Sequence, residues 1–341
     1  MKTEILEIDP SKIDKLKIKK AARVIKNGGL VAFPTETVYG LGADALNPSA
    51  GVKIFEAKNR PLDDPLIVHI AEKNDLFKIA KEIHKIALDL TAEFWPGPLT
   101  LVLKKSEIIP DIITGGLNTV AVRMPSNPVA LSLIKEARTP LAAPSANLFG
   151  RPSPTTAQHV LADLTGKIDL IIDGGRTNIG VESTIVDLTR QPFCVLRPGG
   201  VSLEKLRAII PQVELFQPKD VLAPGMYPRH YAPRARVILV QTNGKARVGK
   251  VRKLAAELES QGYSFGILTT EENRSKYGDY NVESLGPGAD LAACAANLFS
   301  VLRDFDRQDV DVIIAEGVKE EGLGLAIMDR LRKAAGMVKE E

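Results

Sequence analysis

Short apolar runs alternate with amphipathic segments along the first two-thirds of this chain, and this alternation limits the fold more than any other feature. Short apolar runs bounded by turn residues predict buried strands. Several of the turns between them are too short to hold a helix. We therefore predict a mixed, twisted α/β sheet with helices rather than a strict series of βαβ units. The predicted strands are 30–33, 66–70, 99–103, 120–122, 141–143, 170–172, 184–186 and 195–196, and the predicted helices are 13–25, 49–57, 76–94, 129–137, 156–164 and 203–210.

A length of 341 residues predicts two domains, because single hydrophobic cores stop growing near this size. The prolines of 212–234, without any periodicity, indicate a connecting segment without regular structure. The pattern beyond it predicts a smaller, Rossmann-like α/β domain over 235–341. The first domain is predicted to span 1–211. The second domain has no G-x-G-x-x-G after its first strand, so we do not expect a dinucleotide site there.

The composition is that of an ordinary globular protein, with 44% hydrophobic and 26% charged residues. The net charge of +3 excludes a polybasic nucleic-acid coat but permits local basic patches. Cys194 and Cys294 lie far apart and show no metal-ligand spacing, which is typical of a reduced protein. We find no signal peptide and no apolar run of membrane-spanning length. The expectation is a cytoplasmic protein without a membrane association.

The segment 33–42 carries the strongest indication of a binding site. It follows an apolar strand and presents three hydroxyl groups, the carboxylate of Glu36 and two glycines. Glycines let a ligand approach the backbone closely, and polar side chains at a strand end are typical of binding edges. A strand followed by a glycine-rich turn would give the same pattern. By itself this motif leaves the two interpretations open.

Lys58 and Arg60 lie where a predicted helix ends at Pro61. Cations at this position complement the helix dipole, which is a structural explanation. However, two cations this close together would repel each other without an anion, and a phosphate is one candidate. Ser145 and Asn147 follow another predicted strand, where they offer groups suited to phosphate oxygens and to a metal-bound water. The same two residues commonly form a cap or an Asx turn.

Three further segments indicate the same kind of site. Arg123 ends a predicted strand, Ser183 opens one, and Arg197 ends another. Each of these residues alone would be explained as a surface residue. Together they place cations and hydroxyl groups repeatedly at strand ends of one domain. We find no covalent nucleophile motif and no P-loop, so a nucleotide would have to be held in another way.

The motifs P-T-E-T-V-Y-G-L-G at 34–42, K-N-R-P at 58–61, S-A-N at 145–147 and V-E-S-T at 181–184 resemble those of the YrdC-like family of L-threonylcarbamoyl-adenylate synthases. This resemblance extends to about residue 210. The segments 224–226 and 229–233 resemble the linker of the long, two-domain members, and the remainder resembles their C-terminal domain. The resemblance implies an enzyme, a nucleotidyltransferase that makes threonylcarbamoyl-AMP and pyrophosphate from L-threonine, bicarbonate or CO2, and ATP. It also implies a downstream complex that transfers the threonylcarbamoyl group to tRNA.

The family pattern further implies roles for individual residues. The catalytic residues would be Lys58, Arg60, Ser145 and Asn147. The ATP-binding residues would be Lys58, Leu62, Thr119, Ser145, Asn147, Pro154, Arg197, His230 and Tyr231. The threonine-binding residues would be Thr35, His69, Arg123, Ala143 and Ser183, with Arg123 as the partner of the threonine carboxylate. Mg²⁺ would arrive with the ATP phosphates, and no separate protein metal site is expected.

The resemblance also gives the connecting segment a purpose, because a carbamoyl-adenylate hydrolyses readily and a cover that excludes water would protect it. We predict that 224–233 forms this cover, with His230 or Tyr231 near the nucleotide. Tyr227 and Pro228 depart from the family pattern, so a direct role of Tyr227 is in doubt.

Two alternatives remain at this point. A carbamoyl-transfer enzyme of hydrogenase maturation would share a related domain, but it would carry zinc-binding cysteine clusters. The other alternative is an RNA- or tRNA-binding module without catalysis, since cations at strand ends also suit an RNA backbone. The role of the second domain, the oligomeric state and direct contact with tRNA are left open.

Overall fold

The computed structural model describes residues 2–216, 222–227, 230–242, 245–335 and 338–339. Its contacts divide the chain into two compact units. The first unit comprises Met1–Phe149, Ser153–Asn178 and Glu182–Met226, and the second comprises Gly150–Pro152, Ile179–Val181 and Tyr227–Glu341. Two short segments that lie within the predicted first domain, 1–211, thus belong to the second unit.

The strands of the first unit form one mixed sheet, as the sequence predicts. They are β1 (Glu4–Glu7), β2 (Val31–Pro34), β3 (Tyr39–Asp44), β4 (Ile67–His69), β5 (Ala80–Lys81), β6 (Leu99–Lys105), β7 (Thr119–Arg123), β8 (Leu141–Ala142), β9 (Leu170–Asp173), β10 (Thr184–Asp187), β11 (Cys194–Arg197) and β12 (Glu214–Leu215). In the described part of the unit their order is β1-β9-β2-β3-β8-β4-β7-β6-β10-β11-β12, and β5 pairs with the end of β6. The centre of this order, from β8 to β10, carries the candidate site.

The helices of the first unit begin at side-chain caps where the sequence provides them. Asp14 accepts hydrogen bonds from the N–H groups of Leu16 and Lys17, and Asn47 and Asn127 cap two later helices in the same way. The helices are α1 (Lys15–Lys26), α2 (Pro48–Lys58), α3 (Leu76–Ile79), α4 (Lys85–Phe94), α5 (Asp111–Thr114), α6 (Pro128–Ala137), α7 (Ala157–Leu164) and α8 (Leu203–Arg207).

The prediction of one helix over 76–94 is wrong. Helix α3 ends at Ile79, and the extended residues of β5 then pair with β6 before α4 begins. Glu82 has a left-handed backbone with φ of 52°, which interrupts the helical path. Pairing with the sheet edge therefore outweighs the apolar periodicity in this segment.

Apolar residues on both faces of the first sheet are buried under these helices. One cluster includes Leu41, Ile54 and Leu101, and another includes Ile25 and Leu133. Burial of each such side chain contributes about 1.5–3 kcal/mol to stability. A third, smaller cluster covers the middle strands and is described with the site.

The second unit is a smaller α/β domain with a parallel sheet, as predicted. Its elements are β13 (Arg236–Val240), α9 (Lys245–Ser260), β14 (Phe265–Thr269), α10 (Glu271–Arg274), β15 (Val282–Ser284), α11 (Leu291–Arg307), β16 (Val312–Glu316), α12 (Gly324–Ala335) and β17 (Val338–Lys339). In the described part the strand order is β15-β14-β16-β13-β17, and each pairing is parallel. The sequence reading missed β15 and β17, which are short.

The described part of the connecting segment is more ordered than its prolines indicate. Strand β12 pairs with β11, so regular structure continues past residue 211. The residues up to Met226 belong to the first unit, and Tyr227 begins the second. Residues 217–221 and 228–229 lie outside the described part of the chain. None of the helices in the described residues has the length and apolar character needed to cross a membrane.

Candidate active site

The register of the central strands brings three polar side chains into one row. His69 on β4 pairs with Arg123 on β7, which in turn pairs with Thr100 on β6. Paired residues on neighbouring strands project from the same face of a sheet. All three side chains are buried. The sequence analysis named His69 and Arg123 but missed Thr100, which lies inside an apolar run.

The hairpin of β2 and β3 connects to this row through hydroxyl groups. The Thr35 hydroxyl donates to the carbonyl of Val38 at 2.6 Å, and its oxygen lies 2.8 Å from the Thr37 hydroxyl. Arg123 Nη2 donates to Thr37 Oγ1 at 2.9 Å. The hydrogen bonds therefore run from Arg123 through Thr37 to Thr35. This geometry brings Thr35 and Arg123, two of the predicted threonine-binding residues, to one place.

Arg123 also forms a buried ion pair that the sequence analysis did not identify. Its Nη2 atom lies 2.6 Å from Glu36 Oε1. The second oxygen of Glu36 accepts the backbone N–H of Ser126 at 3.1 Å. Glu36 and Thr37 both lie in the motif 33–42, so the signal was present, but the sequence does not show which partner they face.

The remaining polar groups of Arg123 indicate where an anion would bind. Its side chain is only 4% exposed, and its Nε atom has no hydrogen-bond partner among the described residues. A buried donor without a partner is costly, so such atoms commonly mark a ligand position. A carboxylate bound to Nε would satisfy this donor.

His69 is uncharged at neutral pH. Complete burial, followed by the positive charge of Arg123, lowers the pKa of the imidazole to about 3, although a hydrogen bond with the carbonyl of Ile67 acts in the opposite direction. Because the pKa of the folded state lies below that of the unfolded chain, stability is lost as the pH falls from about 6.5 towards 3. At the pH of ordinary metabolism the ring contributes hydrogen bonding and shape, not charge.

Ser183 joins the row from the other side. Its hydroxyl lies 2.8 Å from the hydroxyl of Thr100, and Arg197 Nη2 donates to it at 3.2 Å. Arg197 also donates to the carbonyls of Ser183 and Pro224. The predicted residues Ser183 and Arg197 are thus in contact, and Arg197 connects them to the segment that precedes Met226.

A second group of predicted residues meets at the end of α2. The Lys58 ammonium is buried and donates to the carbonyls of Ser145 and Asn147 at 2.5 and 2.6 Å. Asn147 Nδ2 donates to the carbonyl of Leu148 at 2.7 Å. The lysine therefore fixes the backbone of the loop that carries the predicted S-A-N motif.

Arg60 has an anionic partner within the protein, which the sequence analysis did not expect. Its Nη2 atom lies 2.8 Å from Asp64 Oδ1, and the guanidinium also donates to the carbonyls of Asp64 and Pro65. The chain itself thus supplies an anion to this arginine. The inference that Lys58 and Arg60 need an external phosphate to relieve their repulsion is wrong for Arg60, and its predicted role at the nucleotide has to rest on other grounds.

The other predicted residues of the first unit lie around these two groups. The Ala143 N–H donates to the carbonyl of Ile67, and the Pro154 carbonyl accepts the N–H of Tyr39. Thr119 begins β7, four residues before Arg123, which corresponds to about 13 Å along a strand. Leu62 is 58% exposed in the loop after Arg60. Thr119 therefore lies away from the row of His69 and Arg123.

His230 and Tyr231 belong to the second unit. Their rings lie 4.1 Å apart, and the Tyr231 ring packs 5.5 Å from Phe299 on α11. The guanidinium of Arg330 on α12 lies over the Tyr231 ring at 4.9 Å. Both residues are buried. Their predicted contact with a nucleotide remains a prediction.

A small apolar cluster covers the sheet face next to the site. Ala223, with Phe216, Leu222 and Met226, packs on residues of the central strands. The strand residues of this cluster are Ile67, Val102, Ala121, Ile185, Cys194 and Leu196. Ile67, Ala121 and Val102 form the row beside His69, Arg123 and Thr100 and face the same side. The segment that precedes Met226 therefore lies on the same face as the site, one row away.

Comparison with known proteins finds a matching family for each of the two parts of the chain. Residues 23–199 match a family model described as Telomere recombination, and residues 201–336 match one described as Threonylcarbamoyl-AMP synthase, C-terminal domain. A threonylcarbamoyl-AMP synthase of Pyrococcus abyssi is 51% identical, over 95% of this chain and 96% of that protein. One of Bacillus subtilis is 46% identical, over 94% of this chain and 93% of that protein.

A crystal structure of P. abyssi Sua5 complexed with L-threonine superposes with a TM-score of 0.93 at 49% identity, covering 99% of this chain and all of that one. The match extends over both units and includes the mixed sheet and the smaller parallel sheet. Sequence and structure thus agree over nearly the full length. The chain belongs to the threonylcarbamoyl-AMP synthase family.

Proposed function

We propose that this enzyme forms L-threonylcarbamoyl-AMP and pyrophosphate from L-threonine, bicarbonate or CO2, and ATP. The observation that carries the proposal is the buried row of His69, Arg123 and Thr100, which the hydroxyl groups of Thr35 and Ser183 extend on either side. The names of the relatives and the threonine complex of P. abyssi Sua5 support it.

In this proposal the amino acid binds along the row. Its carboxylate accepts from Arg123, whose Nε atom is buried and unsatisfied by the described protein groups. Hydroxyl groups of Thr35 and Ser183, with the neutral ring of His69, provide hydrogen bonds for the threonine hydroxyl and amine. The main chain at Ala143, directly after β8, would line the same site. A site of this kind binds a small polar molecule without any need for a metal ligand in the protein.

ATP would lie towards the end of α2 in this proposal. Lys58, Arg60, Ser145 and Asn147 would face its phosphates, and Thr119, Pro154, Arg197 and the linker residues would contact the rest of the nucleotide. The oxygen and amide groups of Ser145 and Asn147 fit a Mg²⁺ ion carried by phosphates, because Mg²⁺ keeps several waters and few protein ligands. When bound, the ion would neutralise phosphate charge.

The chemistry requires no protein nucleophile. The threonine amine forms an N–C bond with CO2 and loses a proton, which gives a carbamate. A carbamate oxygen then forms a bond to the α-phosphorus of ATP as the bond to pyrophosphate breaks. Both steps depend on positioning and on neutralisation of charge. Buried cations beside oriented hydroxyl groups provide both.

The first test is the reaction itself. Purified protein is incubated with ATP, Mg²⁺ and bicarbonate, and pyrophosphate is measured with and without L-threonine. We expect release only with L-threonine, and D-threonine is the matched control because it offers the same groups in the wrong arrangement. Release that is independent of L-threonine would overturn the proposal. A protein that bound only RNA would instead show affinity that falls steeply with salt.

Of the predicted cover 224–233, residues 224–226 belong to the first unit, and we propose that the segment 222–226 keeps water from the adenylate. It packs over the row between Arg123 and Thr119, and Arg197 binds the carbonyl of Pro224. In this proposal Arg123 belongs to the amino-acid site and Thr119 to the nucleotide site, so the segment would lie between the two. A product that hydrolyses readily would benefit from this cover.

Ala223 provides a direct test of the cover. It is fully buried in the apolar cluster, so Ala223→Asp would displace the segment from the sheet. We expect pyrophosphate release to continue while the threonylcarbamoyl-AMP recovered per pyrophosphate falls. Leu215→Asp is the matched control, since Leu215 is 45% exposed in the same connecting segment. An unchanged ratio and rate in Ala223→Asp would exclude the cover.

The product would serve a separate tRNA-modifying complex that transfers the threonylcarbamoyl group. We propose this complex as the downstream partner. Direct contact of the enzyme with tRNA would be detected as retardation of tRNA by the full chain at low ionic strength. The binding would weaken as salt increases.

A further inference from the structure

We propose that Glu36 is a positioning residue for the amino-acid site, which acts by fixing the orientation of Arg123. The proposal rests on the proposed function, because it assigns to Arg123 the carboxylate of the amino-acid substrate. Glu36 is not itself expected to touch the substrate.

Both oxygens of Glu36 are engaged by the protein. Oε1 accepts from Arg123 at 2.6 Å, and Oε2 accepts the backbone N–H of Ser126 at 3.1 Å. Ser126 directly precedes Asn127, which caps α6. Glu36 is only 8% exposed. The Glu36 carboxylate therefore connects the hairpin of β2 and β3 to the start of α6, and both of its oxygens are held in place.

The contacts with Glu36 and Thr37 occupy one nitrogen of the Arg123 guanidinium. Nη2 carries two hydrogens, and its two described acceptors are Glu36 Oε1 and Thr37 Oγ1. The Thr37 hydroxyl is in turn held by Thr35. Because Nη2 is fixed at two points, the plane of the guanidinium is fixed as well. Nε has no partner among the described residues, so it is the donor left to meet a substrate carboxylate.

An arginine recognises a carboxylate through its planar arrangement of donors, so its orientation matters as much as its charge. Glu36 has two opposing effects on this recognition. It orients the guanidinium, which favours substrate binding, and its negative charge repels a second carboxylate. The proposal is that orientation dominates. The sign of the effect of removing the charge therefore distinguishes the two.

The test is Glu36→Gln in the full chain, which keeps the size and one oxygen acceptor but removes the charge. We expect the KM for L-threonine, and its dissociation constant by calorimetry, to rise at least about tenfold, which corresponds to about 1.4 kcal/mol. The KM for ATP and kcat at saturating threonine should stay within about twofold of wild type. A merely structural role would lower the apparent kcat through loss of folded protein and leave both KM values unchanged.

Asp187→Asn is the matched control. Asp187 is a buried carboxylate of the same unit whose Oδ2 atom lies 2.7 Å from Arg190, and neither residue belongs to the proposed site. The Asp187→Asn substitution removes a negative charge from an ion pair with an arginine, as Glu36→Gln does. We expect the KM for threonine to stay unchanged in this variant.

A second comparison tests whether Glu36 acts through Arg123. In an Arg123→Met background, Glu36→Gln should cause no further rise in the threonine KM. An additive rise would overturn the proposal, as would an unchanged or lowered threonine KM in Glu36→Gln alone. If wild-type protein releases no threonine-dependent pyrophosphate, the proposed function fails and this proposal fails with it. Normal wild-type turnover with an unaffected Glu36→Gln variant overturns only the role of Glu36.

Discussion

Replacement of Arg123 with alanine is expected to raise the KM for L-threonine by about thirtyfold to several thousandfold, because loss of one partner of a buried, hydrogen-bonded charge pair costs about 2–5 kcal/mol. The side chain is buried in the row that also contains His69 and Thr100, and its Nε atom has no partner among the described protein groups. The substrate carboxylate would lose its only oriented cation in this proposal. The KM for ATP should change little, since the substitution leaves Lys58 and the loop of Ser145 and Asn147 unchanged.

Steady-state kinetics with threonine and ATP varied separately would measure this effect. The variant also leaves Glu36 buried without its partner, so we expect its free energy of unfolding to fall by about 3–5 kcal/mol. Folding must therefore be confirmed by denaturant titration at the assay temperature. Arg190→Ala is the matched control, because it removes an arginine from the ion pair with Asp187 outside the site. Equal losses of threonine and ATP binding would contradict the assignment of Arg123.

Replacement of Lys58 with alanine is expected to lower kcat/KM for ATP by about a hundredfold to a thousandfold, the range seen when one oriented donor to a reacting anion is removed. Lys58 is 1% exposed, and its ammonium is bound by the carbonyls of Ser145 and Asn147. Its loss would release the loop and remove the cation that the proposal places at the phosphates. Threonine binding should be affected much less.

Pyrophosphate release at saturating threonine, with ATP varied, is the measurement. Lys53→Ala is a matched control within α2, since the Lys53 ammonium also donates to a backbone carbonyl, that of Gly28, at 2.6 Å. It should leave the kinetics of ATP unchanged. Turnover of Lys58→Ala close to that of wild type at saturating ATP would remove Lys58 from the site.

The residues of the site could be predicted from sequence where a motif concentrates them. The segment 33–42 contains Thr35, Glu36 and Thr37 together, and hydroxyl groups beside glycines after a strand have a physical reason to bind a ligand. The role of Thr100 could not be predicted in this way. Its position beside Arg123 follows from the register of β6 and β7, which depends on contacts between segments distant in sequence.

Charge arguments from sequence were less secure than motif arguments. Lys58 and Arg60 are close in sequence, and a shared phosphate would have explained both. The structure instead gives Arg60 an internal carboxylate four residues later, and Asp64 was visible in the sequence. Burial decides the difference, because a fully buried Asp64 needs a cation as much as the arginine needs an anion.

The fold was predictable to the extent that apolar periodicity sets it. The mixed sheet and the smaller parallel sheet both follow from runs of buried residues. The short strands β5, β12, β15 and β17 do not, because two or three residues carry too little periodicity. Each is defined by pairing with a neighbour that the sequence alone does not reveal.

The short segments Gly150–Pro152 and Ile179–Val181 have a practical consequence for anyone who divides this enzyme into parts. Arg151 pairs with Asp306 at 3.0 Å, and the Gly150 carbonyl accepts the N–H of Ala232. Gly180 approaches α11 so closely that an added Cβ would lie 2.3 Å from the Ala296 Cα atom. A division of the chain after Met226 would leave both short segments without their contacts to Asp306, Ala232 and Ala296, so a truncated first domain would expose backbone and charge that the full chain pairs.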